Sequence, residues 1–190
     1  MRRLLMAVKT KYKRFEYIQS NGNQYFDTGY KASYKTKIDI KFSDISYNWV
    51  CGSEETSDNY SNFGICYNMS MFGSQGIGYS SLTTGTHIIN YGKTLIVDNV
   101  QKGTFSTQSA TSDVSLALFG IKKGDNTFKS LISGKIYYCR IYDDNILVRN
   151  FIPILRKSDN EIGMLDLVEG KFYGNAGTGK FTANLDLKET

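Results

Sequence analysis

The sequence predicts an all-β protein, a two-sheet antiparallel sandwich with little or no helix. Three observations carry that prediction. The 14 Tyr and 11 Phe stand beside 18 Gly and a single Pro; short β-prone runs alternate with clusters of Gly, Asn, Asp and Ser; and no window holds a 3.6-residue apolar period over three turns. A chain of 190 residues can form one such domain. No linker or fixed-period repeat divides it.

In chain order, strands are predicted at residues 15–18, 24–27, 35–42, 49–52, 62–68, 76–79, 85–91, 94–97, 103–105 and 114–119, then at 134–142, 145–153, 162–166 and 171–174. In the third, Ile38, Ile40 and Phe42 share one face and Lys37, Asp39 and Lys41 the other, so this strand has a wet side. In residues 134–142 strict alternation puts Tyr137, Cys139 and Ile141 on one face and Ile136, Tyr138 and Arg140 on the other, the pattern of a central strand covered on both sides. Asp143, Asp144 and Asn145 then make a polar turn that fixes the register of a hairpin.

Charge is concentrated at one end. Arg2, Arg3, Lys9, Lys11, Lys13 and Arg14 give residues 1–14 a formal charge of +6 with no acid, whereas the other 17 basic and 18 acidic residues nearly cancel. The division expected is a basic arm over 1–14, a sandwich over 15–184 and a tail over 185–190. The apolar run at residues 4–8 is too short for the hydrophobic part of a signal peptide, and no stretch reaches the length of a membrane span. The arm lacks interleaved aromatics and the body is close to neutral, so no specific nucleic-acid contact is expected.

The motifs for chemistry are weak. Cys51, Cys66 and Cys139 form no CxxC pair and read as reduced thiols, with a Cys51–Cys66 bridge as the rival. His87, the one histidine, has no HExxH or cysteine context for zinc and no serine elbow for a nucleophilic triad. Residues 174–182 miss a phosphate-binding loop because Phe181 stands where Ser or Thr is needed, and their glycines read as turns. The carboxylates nearest to a glycosidase pair are Glu54, Glu55 and Asp58 in a loop, and Glu161 with Asp166 at a spacing that puts them on opposite faces. Asp58-Asn59 and Asp143-Asp144-Asn145 offer calcium some oxygen ligands, short of an EF-hand count. No catalytic or metal-binding residue and no cofactor are expected, calcium being the one ion left open.

Aromatics are the better signal, because Tyr and Trp stack on sugar faces while presenting a polar edge. Tyr47, Trp49, Tyr60, Tyr67 and Tyr79, with Asp58 and Asn59, gather in the Gly-, Ser- and Asn-rich stretch 44–81 and form the candidate ligand-binding set.

Four ordered segments resemble a known group. The opening Phe15-Glu-Tyr-Ile-Gln-Ser-Asn-Gly-Asn-Gln-Tyr-Phe-Asp-Thr-Gly29, then residues 115–120, then 133–143 with 147–153, then 163–177 resemble concanavalin A-like, laminin-G-like jelly-roll domains of phages, prophages and gut-bacterial surface proteins. The resemblance covers about residues 15–182 and implies the fold more than any function. With the unexported basic arm it leads to the expectation of a non-catalytic virion structural protein of head, tail or fibre, made in the host cytoplasm. The arm would anchor it to other virion proteins, and the jelly roll would meet a glycan on the host cell, as a monomer or a homo-oligomer. The alternative is a bacterial carbohydrate-binding module, and after it a sandwich glycosidase.

Overall fold

The computed structural model describes residues 11–55, 62–106 and 109–185. Arg2, Arg3 and Lys9 of the arm, and Asp58, Asn59 and Tyr60 of the ligand-binding set, lie outside the described residues.

The fold is 65% strand and 1% helix, as the turn-rich, Pro-poor sequence requires. In chain order the strands are β1 (Tyr12–Asn21), β2 (Phe26–Ser33), β3 (Thr36–Ser43), β4 (Trp49–Glu54), β5 (Asn62–Cys66), β6 (Met69–Gly73), β7 (Gln75–Gly78), β8 (Thr86–Tyr91) and β9 (Thr94–Val97). There follow β10 (Val100–Thr104), β11 (Thr111–Leu118), β12 (Ile121–Lys123), β13 (Phe128–Lys129), β14 (Ser133–Asp143), β15 (Ile146–Arg156), β16 (Glu161–Asp166), β17 (Lys171–Tyr173) and β18 (Thr182–Leu185).

They form two packed sheets, a jelly-roll-like antiparallel β-sandwich. One has the order β10-β9-β8-β3-β14-β1-β15-β16-β17 with β18 on β1; the other runs β13-β12-β4-β5-β6-β7, with β11 bridging β2 to β4. Among the described residues the one parallel pairing is β12 on β4. Between the sheets lies a core rich in aromatics, in which Phe26, Phe42, Phe63, Phe72, Phe105 and Phe151 are fully buried. Burying each such ring contributes roughly 2–3 kcal/mol.

Strand β3 behaves as its alternation predicts, with Ile38, Ile40 and Phe42 buried and Lys37, Asp39 and Lys41 turned to the outer face. In β14 the alternation is broken. The register on β3 shifts between Ile136 and Tyr138, so Ile136 joins Cys139 and Ile141 in the core while Tyr137, Tyr138 and Arg140 all stay half-buried. A β-bulge adds one residue and resets the period. The strand is central, as expected, yet it is sealed on one face only.

The Asp143-Asp144-Asn145 turn is present, with Asp144 and Asn145 at φ of 47° and 68° and Asp143 paired to Ile146. Two successive positive φ values mark the hairpin turn whose twist matches the strands. The hairpin of β14 and β15 opens beyond Cys139 and Phe151, and β1 enters the fork: Ile18–Asn21 pair with β14, and Tyr12–Arg14 pair with β15. Sheet structure therefore begins at Tyr12, within the stretch that charge alone assigns to the arm, and Leu185 pairs with Phe15 at the other end of the chain.

The glycine-rich segment 174–182 closes the fold. Amides of Ala176 and Thr178 donate to the carbonyls of Tyr25 and Asn23, and that of Gly177 donates to Asn175 Oδ1. Phe181 is buried on Phe26 at 4.4 Å between ring centroids. Donors of a phosphate-binding loop are here committed to the protein.

Candidate functional site

The candidate aromatics sit where β4, β5 and β6 share an end. Ser46 to Asn48 lead into β4, where Trp49 lies opposite Cys66, and the Tyr67 amide donates to the Asn48 carbonyl at 3.0 Å. This places Tyr47 against Tyr67, edge to face, with 5.2 Å between ring centroids. Tyr47 is 74% exposed, the largest exposure among the big apolar side chains of the described residues. Tyr67 packs against the core, so it supports a ring that is presented to solvent.

Tyr79 has a different role. Its hydroxyl lies 2.7 Å from the carbonyls of Cys66 and Met69 and 3.2 Å from Ser70 Oγ, clamping the turn between β5 and β6. Burial pushes its phenol far above the ordinary range. The side chain secures the platform and is not presented to a ligand.

Trp49 stands on the outer face of the second sheet for a steric reason. Gly52 and Gly64 face each other in the β4–β5 pair, and a Cβ on Gly64 would meet the Cys51 carbonyl at 2.7 Å and the indole at 3.0 Å. Without that Cβ the indole rests on the backbone. Beside it is a hollow of about 120 Å³, walled by Trp49, Met71 and Ile121 and edged by Glu54 and Asn62. Lys129 Nζ pairs with the Glu54 carboxylate at 2.7 Å, so the edge is close to neutral. Asn62 Oδ1 is buried and, among the described residues, accepts no hydrogen bond.

Composition could not find this hollow. Gly52, Gly64 and Asn62 look like ordinary strand and turn residues until the register sets the two glycines opposite each other and brings Asn62 alongside. The signal in the sequence was a glycine at corresponding places in two adjacent strands, close to the one tryptophan.

A wider groove of about 400 Å³ crosses the outer face of the first sheet, lined by Lys37, Asp39, Asn90, Lys93 and Tyr142 among others. Its polar groups serve one another. Asp39 accepts from Asn90, Tyr138 and Arg140 at 3.0–3.2 Å, and Lys37 donates to Asn145.

The acids considered for chemistry are dispersed. Asp166, fully buried, accepts the amides of Asn150 and Val168 and lies 3.7 Å from Arg149, while Glu161 pairs with Arg156. Glu55 caps the start of β11 by accepting the Asp113 and Val114 amides. Asp144 and Asn145 face Lys35 and Lys37. His87 lies between the Asp98 carboxylate, 2.7 Å from Nδ1, and the Thr84 carbonyl, 2.9 Å from Nε2, fastening a hairpin. Cys51, Cys66 and Cys139 are free, buried thiols; Cys51 points into the core, whereas Cys66 sits opposite Trp49.

Among the described residues, no group of three or more His, Cys, Asp or Glu is placed to hold a metal ion, and no helix is long and apolar enough to cross a membrane. No protein-family model matches the chain, and no curated protein matches it significantly.

Proposed function

We propose that the chain is a non-catalytic attachment or decoration module of a phage or prophage particle, a concanavalin A-like, lectin-like sandwich that holds a glycan. The observation that carries the binding half of this reading is Tyr47, held edge-on against Tyr67 at the end of β4 and left largely exposed. A rigid aromatic offered to water at low conformational cost suits the apolar face of a sugar, whose hydroxyls need a wet rim. The virion setting is supported by the four-segment resemblance and by the six cations of residues 1–14, which suit an acidic surface on a partner protein.

A glycan array with the purified chain tests the binding half. Retention of one glycan class, lost in Tyr47→Ala, supports it, and no retention on any glycan overturns it. For the particle setting, residues 2–10, which precede β1 and its pairing with β15, are deleted and incorporation into particles is measured. Unchanged incorporation overturns the anchoring role.

A further inference from the structure

We infer that the hollow beside Trp49, on the outer face of the second sheet, is a subsite for a single neutral sugar residue. This inference rests on the glycan-binding reading and adds to it a place and a ligand chemistry.

Three independent features of the hollow define its occupant. Its volume of about 120 Å³ admits part of one ring and excludes a chain of sugars. An indole, a thioether and an isoleucine form its walls, which suit C–H faces. Its polar edge carries an unmet acceptor: Asn62 Oδ1 is buried and without a donor among the described residues, and the nearby Glu54 carboxylate has oxygen lone pairs beyond those turned to Lys129.

A buried acceptor left without a donor costs about 1–3 kcal/mol. The ligand that removes this cost brings hydroxyl donors on an otherwise apolar ring. A cation would meet the same acceptors and the indole face, but Lys129 already neutralises Glu54, which removes the charge that would draw it in. An anion would meet the Glu54 carboxylate and the Asn62 Oδ1 lone pairs, while the Lys129 ammonium is already held by Glu54. A neutral polyol ring satisfies all three features together.

The single tryptophan makes the site observable. The full chain is titrated with D-glucose, D-galactose, D-mannose and N-acetyl-D-glucosamine at millimolar concentrations, following tryptophan emission, with choline as the cationic comparison. Asn62→Leu removes the acceptor while keeping the volume, and its thermal midpoint is measured alongside. The inference expects a saturable emission change with at least one sugar, at least about tenfold weaker in Asn62→Leu, and an Asn62→Leu midpoint equal to or above that of the parent. A lower midpoint with binding lost in proportion shows a merely structural asparagine and overturns it. A response to choline and to no sugar overturns it too. Glycan retention on the array with unmoved emission and normal affinity in Asn62→Leu rejects the hollow while leaving the general reading intact. Absence of any sugar or glycan binding rejects both.

Discussion

Gln24 and Thr178 are joined across nearly the whole chain: the fully buried Gln24 amide donates through Nε2 to the Thr178 carbonyl at 3.0 Å. Its Oε1 accepts from the Asn21 amide at 2.8 Å and the Ser20 hydroxyl at 3.0 Å. One side chain thereby ties the first turn of the domain to its last. Replacing it by alanine leaves several of these groups buried without partners, so Gln24→Ala is expected to lose about 2–3 kcal/mol. Urea unfolding measures this, and a change within the scatter of ordinary surface substitutions would refute it.

Glycines opposite backbone set a second expectation. A Cβ on Gly64 would press on the Cys51 carbonyl and on the indole, so Gly64→Ala should cost about 1–3 kcal/mol. It should also displace Trp49, shifting its emission without any ligand. Gly78, whose nearest neighbour for a Cβ is 3.9 Å away, should accept alanine within about 0.5 kcal/mol.

Acid should weaken the second sheet through Asp27. Burial raises its pKa, but the Lys122 ammonium at 2.7 Å, with the Ser115 hydroxyl and the Gly29 amide, outweighs that and holds the carboxyl below its usual value. A depressed carboxylate contributes stability that is present above its unfolded pKa of about 3.9 and is lost as pH falls through the lower folded value. Asp27→Asn should be less stable near neutral pH by about 1 kcal/mol and should lose less on acidification. Parallel acid-unfolding curves for parent and variant would contradict the assignment.

The thiols should be silent in the native state. Burial pushes Cys51 up to about 12 and raises Cys139 and Cys66 as well, so little thiolate forms at neutral pH. A disulfide reagent such as DTNB should label the native chain only as fast as it opens, and all three thiols at once in urea. Rapid labelling of any one in the folded protein would show that its burial is misjudged.

Tyr47→Ala should leave stability within about 0.5 kcal/mol, because the ring is largely exposed. Thermal unfolding reads this directly. A fall of several degrees would make Tyr47 a structural residue and remove the reason for taking its exposure as display.

Sheet architecture was legible where local chemistry decided it. Alternation in β3 and the Asp-Asn turn after β14 act within a few residues, and both appear as the sequence predicts. Residues 62–68 read as one strand and 69–73 as none; the structure ends β5 at Cys66, turns at Tyr67 and Asn68 and makes β6 over Met69–Gly73, the turn being fastened by Tyr79 from outside the hairpin. The short strands β12, β13 and β18 carry too few residues to show a period, and their pairing partners supply the order. The bulge in β14 was equally hidden, since a reset of alternation depends on the register of the neighbour.

The candidate site was legible in part. Tyr47 and Tyr67 meet ring against ring, and Trp49 stands at the same strand end without a ring contact to either. Tyr79 was misleading because a tyrosine that clamps carbonyls has the same composition as one that stacks on a sugar. Asn62 and the facing glycines were out of reach, because the value of each depends on which residue lies across the ladder.

The fork that receives β1 has a consequence for synthesis on the ribosome. Among the described residues every strand that pairs with β1 comes from beyond residue 132, so β1 has nothing to join until about 110 further residues have followed it. Closure of the first sheet is therefore a late event of high contact order, and folding should be slow for the chain's size. Nascent chains arrested before β14 would carry an unpaired β1, with a length of open backbone that invites self-association or the attention of a chaperone.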